Sequence, residues 1–444
     1  MLERTWADKS PMYVAVGFGG LIALFLSFYA APAVTLSVLA LIGASLAFFS
    51  PRAALYLIVP AMAFSPEFSV GGLLVRIEDL LMVPLAAGWL AHLCVFKDRQ
   101  GTPLDRPVLA YWAVGLVATL WGGYLGTAHF LTLNKELSSI FHLLKRLEFV
   151  FLFFIVADVI TSRRDVQKLT WWLIASMVAL NLYGLAEYLS TGAIPYSPGA
   201  SGHELGVASM IAVPLSVALV PVSRSSSRLL FLAVIVFSLA VLPLTLGRNF
   251  IAVTVLILLY VGIVYARSVL LLIPAALAIA YGVYPQFIQE RLSTFLYVLS
   301  PDLTGNQGDA ASILYRATAP GNYSLLALAH SPVLGFGLAS LPLGFIDSEY
   351  GTQLVYTGIV GLLVFFAFGI RLFRLAKEAR SLAREPFMAN LAWGLQLVLA
   401  SYAIYSIFAA SISPTHTGGL FFIVAGLIVA LHRSLARPRA MDSP

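Results

Sequence analysis

Arg248, Arg316, Asp347 and Glu349 are charged residues in a chain that keeps few of them, and their types suit one kind of chemistry. A guanidinium fork matches phosphate oxygens in a bidentate way. A carboxylate can take the proton of an attacking hydroxyl. Arg248 sits in Leu246-Gly247-Arg248-Asn249, between two apolar runs with almost no loop. A cation buried in a bilayer costs of order 2.5–3.5 kcal/mol at the centre and less toward the interface. Either Arg248 faces a cavity as an anion site, or it snorkels from a tight turn. Arg316, in Ile313-Leu314-Tyr315-Arg316, is expected on an amphipathic helix in the same segment as the acidic pair; a solvated loop arginine is the alternative. Asp347-Ser348-Glu349 stands directly before the apolar run that starts at Tyr350. Acids there also cap a helix and favour its dipole, and a cap can still act as a base.

Other groups qualify more weakly. Lys145, Arg146 and Glu148, with His142 one turn earlier, either line the same anion pocket or anchor a helix at the interface. Arg76, Glu78 and Asp79 lie in a Pro/Gly-interrupted stretch, Ser65–Asp79, that reads as re-entrant or interfacial. Gly202-His203-Glu204 opens an apolar run, where a histidine is more often a cap than a ligand. Arg291 has the scarcity of Arg316 without acidic partners. No Walker loop, dinucleotide fingerprint, HExxH, paired Cys/His spacing or GxSxG elbow is present. No metal site and no cofactor are therefore expected.

The elements that must position these residues are membrane helices. The 444 residues are 60% hydrophobic and 11% charged, with mean hydropathy +0.90. A soluble domain carries roughly 25% charged residues. The net charge of +6 is a matter of topology and not of nucleic-acid binding, for which no motif is present. The one cysteine, Cys94, cannot form an intrachain disulfide. Fourteen apolar segments are legible, beginning with Met12–Ala30, Val34–Phe49 and the short Ala53–Ala63 and ending at Gly418–Leu431, with the span count expected between 12 and 14. Met1–Lys9 is polar and the first segment is followed at once by a second, so an uncleaved first span is expected. With both termini cytoplasmic, 20 of the 27 Lys and Arg fall inside, as the positive-inside rule requires. Arg76, Lys135, Lys145, Arg146, Arg248, Arg291 and Arg316 remain outside. Residues 1–444 read as a single integral membrane domain, all-α and polytopic. Residues 284–351 form its one large outer loop, with a polar Asp302–Asp309 patch and two or more short helices expected to cap the bundle.

Three short motifs give this pattern a likeness. Leu244-Thr245-Leu246-Gly247-Arg248-Asn249 is similar to a T-x-S-R-G helix junction. His330-Ser331-Pro332-Val333-Leu334-Gly335-Phe336-Gly337 is similar to a P-x-x-G-x-G segment that closes a large periplasmic loop. Asp347-Ser348-Glu349-Tyr350 with Thr357-Gly358-Ile359-Val360-Gly361 is similar to an H-N-x-x-L…G-x-x-G motif. In this order over roughly residues 60–430 they resemble the bacterial O-antigen polymerase/O-antigen ligase superfamily. Where ligases commonly carry a histidine this chain has Asp347, which favours a polymerase.

The resemblance implies a GT-C-like fold in the bacterial inner membrane with its site facing the periplasm. It also implies metal-independent, inverting transfer from a glycan on a polyprenyl pyrophosphate. Arg248 and Arg316 would hold the pyrophosphate, with Arg291, Lys145, Arg146, His203, Glu204 and Tyr350 lining the site, and Asp347 or Glu349 would activate the acceptor. The partners implied are the lipid-linked oligosaccharide, membrane lipid and a chain-length regulator. A ligase that passes the glycan to lipid A-core is the near alternative. A flippase or other transporter is the second, which would show as two similar halves.

Overall fold

The computed structural model describes residues 43, 45, 50–64, 67–70, 73–96, 101–128, 139–192, 195, 202–245, 247–285, 289, 322–340, 348–410, 412 and 415–436. In chain order these form α1 (Pro51–Phe64), β1 (Glu67–Val70), β2 (Leu73–Arg76), α2 (Ile77–Phe96), α3 (Asp105–Tyr124), α4 (Ser139–Val159), α5 (Arg163–Thr191), α6 (Gly202–Leu219), α7 (Ser225–Val241), α8 (Arg248–Val264) and α9 (Leu272–Val283). A nine-residue helix, α10 (residues 322–330), lies within the expected outer loop. Then come α11 (Glu349–Leu382), α12 (Pro386–Phe408) and α13 (Thr415–Ala436). The third to fourteenth apolar segments of the sequence each fall on one of these helices. Met12–Ala30 and Val34–Phe49 lie, but for residues 43 and 45, outside the described residues.

Among the described residues, α2, α5, α6, α7, α11, α12 and α13 are long and apolar enough to cross a membrane, seven helices in all. α1, α8 and α9 are apolar but shorter. The 14 residues of α1 rise only about 21 Å, against the roughly 30 Å of a hydrocarbon core. α4 has the length, at 21 residues, but packs Lys145, Arg146 and Glu148 into its first half. Large apolar side chains stand exposed on the outward faces of α2 (Val83, Val95), α8 (Leu256, Ile263) and α11 (Leu363, Ile370). Apolar surface of that extent is what a lipid-facing wall requires. α6 and α13 are buried nearly all round and form the centre, against which α4, α5, α11 and α12 pack. A helix apolar on every side belongs there.

The stretch Ser65–Asp79 supplies one antiparallel hairpin, with Glu67 opposite Arg76 and Val70 opposite Leu73. It feeds straight into α2, where the Asp79 carboxylate accepts from the Arg76 backbone N–H at 3.1 Å. That bond satisfies one of the donors left over at a helix start.

Ion pairs divide the bundle into two ends. At one end Arg52 meets Asp165, Arg163 meets Glu385, Arg433 meets Asp158 and the Arg371 guanidinium donates to Pro103 O. At the other lie the hairpin and the starts of α2, α4, α6, α8, α11 and α13. Successive long helices thus run up and down, and the short basic loops gather together at the first end.

α11 is two helices in series. Gly358, at φ 65° and ψ −167°, breaks it, and the segment after α10 fills the break. Phe336 N–H donates to Val355 O (2.9 Å) and Gly337 N–H to Tyr356 O (3.0 Å). Ile359 N–H donates to Pro332 O (2.8 Å) and Val360 N–H to Val333 O (3.2 Å). Backbone away from water must find partners within the protein, and this segment supplies them. The fit depends on bare backbone on both sides: a Cβ on Gly358 would lie 2.3 Å from Val333 O, and one on Gly335 (φ 66°) 2.5 Å from Val355 O.

Candidate functional site

The interlocked segment 331–340 is wedged between α3 and α11. Trp121 Nε1 donates to Ser331 Oγ (3.0 Å), Thr127 Oγ1 to Phe336 O (2.8 Å) and Ser139 Oγ to Leu338 O (2.6 Å). Leu338 is thereby set over the start of α4. Below it is a narrow cleft lined by Tyr111, His142, Lys145, Arg146, Phe149, Leu338, Tyr356 and Ile412, with room for roughly one water.

Charge is concentrated at this cleft. Arg146, 7% exposed, donates from Nη2 to Gln353 Oε1 at 3.0 Å and lies over the Tyr111 ring, 4.6 Å from its centroid. Gly115 on α3 leaves room for the guanidinium, since a Cβ there would sit 3.0 Å from Nη1. Gln353 passes the link onward. Its Nε2 donates to Glu349 Oε1 (2.6 Å) and to the Tyr111 hydroxyl (3.2 Å). Glu349, wholly buried, accepts on its other oxygen from Ile412 N–H at 2.9 Å. A cation and an anion thus share one neutral amide, which satisfies both without direct contact. Buried charges of this kind persist only when hydrogen-bonded.

The neighbouring Lys145 is engaged differently: its ammonium bridges Asp79 and Glu148, the latter at 2.8 Å. It ties the hairpin end of α2 to α4, and its charge is matched by two carboxylates. Arg76 and Glu78 stand 3.8 Å apart in the same corner.

Arg248 is the first residue of α8, and its helix start is fixed by neighbours. Asn249 Nδ2 donates to Phe408 O at 3.0 Å, and Phe250 stacks on Tyr405 with centroids 4.3 Å apart. His203 joins this contact, its Nδ1 3.3 Å from the Tyr405 hydroxyl and its ring edge-on to Phe250. One residue beyond Phe408, Ala409 O accepts from Glu349 N–H (3.1 Å), and Ser348 Oγ donates to Ser406 O (3.3 Å). The end of α12 is therefore the hub on which the starts of α6, α8 and α11 meet.

Of the sequence-derived residues, Lys145, Arg146, Glu349 and the backbone of Arg248 are brought to this one end, with His203 beside them. Tyr350 lies on the far side of its helix, where its hydroxyl donates to Ala403 O (2.8 Å) and its ring stacks on Phe366. Glu204 lines a separate small cleft with Met62, Leu180, Val207 and Thr417. Arg291, Arg316 and Asp347 lie outside the described residues. Sequence reasoning missed Gln353 and Tyr111. Gln353 had a signal, a lone amide one helical turn after an acid in an apolar helix; Tyr111 had none. Among the described residues no three His, Cys, Asp or Glu gather as a metal site.

No protein-family model matches the chain, and no curated protein is similar to it at a significant level.

Proposed function

We propose that the chain is a multispanning glycosyltransferase that polymerises oligosaccharide units carried on polyprenyl pyrophosphate. In this reading it has about fourteen spans in a GT-C-like arrangement in the bacterial inner membrane, and the cleft end faces the periplasm. One observation carries the proposal: residues far apart in sequence bring Arg146, the start of the Arg248 helix and Glu349 to one end of the bundle. Arginines suit a pyrophosphate leaving group, which departs as an anion and needs fixed positive charge more than a metal.

The step is a direct displacement. The acceptor hydroxyl oxygen bonds to the anomeric carbon, the bond from that carbon to the pyrophosphate oxygen breaks, and the hydroxyl proton passes to a carboxylate. The configuration inverts. Arg248 and Arg316 hold the pyrophosphate in this scheme. Both oxygens of Glu349 already accept hydrogen bonds, from Gln353 and from Ile412, which favours Asp347 as the base and Glu349 as the residue that positions its helix. A ligase would use the same chemistry with a different acceptor, and Asp347 in place of a histidine argues against it. The break in α11 favours a transporter, since broken helices line substrate sites in those proteins. Four backbone groups at this break are already paired to residues 332–337, so they offer nothing to a substrate.

Purified protein incubated with a polyprenyl-pyrophosphate oligosaccharide should yield a ladder of longer glycans on a gel, with EDTA present. Arg248→Ala and Arg316→Ala should each abolish the ladder, and normal chain lengths from either would reject its role. No extension by the unaltered protein would reject the enzyme.

A further inference from the structure

The opposite, basic end of the bundle carries a second constellation, independent of the proposed reaction. Arg380, in the last turn of α11, is held by aromatic rings: its guanidinium lies 5.5 Å from the Trp393 ring and 5.9 Å from that of Tyr265. Those two rings touch, with centroids 4.4 Å apart. The aromatic contacts orient the cation without discharging it.

Its neighbours add charge. Lys377 lies one turn back on the same face, Arg384 follows the helix end, and Arg267 is two residues beyond Tyr265; Lys377, Arg384 and Arg267 are exposed. The nearby acids are engaged elsewhere, Glu385 with Arg163 and Glu378 with His432. Among the described residues these four cations make no ion pair. From Tyr265 back along α8 runs an exposed apolar strip of Leu256, Leu259, Tyr260 and Ile263. Paired aromatic and basic residues where an apolar wall ends are the arrangement of a membrane–water boundary.

We propose that Arg380, Arg267 and Lys377 bind the headgroup of an anionic phospholipid whose acyl chains lie along the exposed face of α8. Charge complementarity selects the occupant: unpaired cations beside an apolar wall match a phosphate joined to hydrocarbon, and a net negative lipid over a zwitterionic one. The test uses the full chain in detergent, incubated with phosphatidylglycerol or phosphatidylcholine and examined by native mass spectrometry. The unaltered protein should retain phosphatidylglycerol preferentially. Arg380→Gln and Arg267→Gln should each lower that retention about fivefold, the effect of one basic residue near an anionic lipid, while eluting as the unaltered protein does on gel filtration. Equal retention of the two lipids by the unaltered protein, a measurement that needs no variant, would overturn the proposal. So would unchanged retention in the double variant, or release of phosphatidylglycerol by millimolar inorganic phosphate, which would mark a free-anion site. Glycan extension plays no part in this measurement, so its outcome leaves the proposed reaction untouched.

Discussion

At the scale of single residues, the molecule invests most in Gln353. Its amide links the Arg146 guanidinium to the Glu349 carboxylate, so both charges draw on it. Hydrogen bonds to charged groups contribute about 1.5–3 kcal/mol each. Gln353→Leu should therefore lower thermal stability in detergent by an amount near the upper end of that range. In combination with Arg146→Met the losses should be less than additive, because the second change removes a charge already stranded by the first. Full additivity in unfolding midpoints would show that the two side chains do not communicate. Arg146→Lys is not conservative here: an ammonium cannot keep both the hydrogen bond to the Gln353 oxygen and the guanidinium's place over the Tyr111 ring. Glycan extension by that variant should fall about a hundredfold, as for loss of one positioned donor, and unimpaired ladders would remove Arg146 from the site.

At the scale of elements, the interlock of α11 with residues 331–337 decides where the site can form. In the sequence the two glycine-bearing motifs read as separate signatures. In the fold they are two halves of one joint, each supplying the bare backbone the other approaches. Gly358→Ala places a Cβ against Val333 O and a side chain at a φ that costs about 1–3 kcal/mol. The variant should unfold at lower temperature and lose activity together. An active and equally stable Gly358→Ala protein would show that the joint does not hold the site. Gly282 makes the contrast, with open space around its Cβ position, so Gly282→Ala should leave both properties unchanged.

At the scale of the whole molecule, the partition of charge into two ends is the feature that orients everything else. With Cys94→Ser as background, Ser226→Cys in the first turn of α7 and Ser190→Cys at the end of α5 occupy opposite ends and are both exposed. A membrane-impermeant maleimide applied to intact spheroplasts should label Ser190→Cys and spare Ser226→Cys. Labelling of both, or the reverse, would contradict the orientation drawn from the positive-inside rule.

The sequence by itself determined the helical segments from Pro51 onward, because the length of an apolar run is a local property. It also determined the alternation of those helices, since short loops leave a helix little choice but to turn back. The scarcity of cations at one end followed from the same counting. Which of those cations would be matched was beyond it: Lys145 and Arg146 are adjacent in sequence, yet one is held by two carboxylates and the other by an amide and a ring. Apart from Glu148 on α4 itself, the partners come from α2, α3 and α11, up to 207 positions away, and only packing brings them together. The hairpin at Glu67–Arg76, the break at Gly358 and the hub at the end of α12 belong to the tertiary structure for the same reason. Each is a bargain between distant stretches of backbone, and hydropathy along the chain carries no record of it.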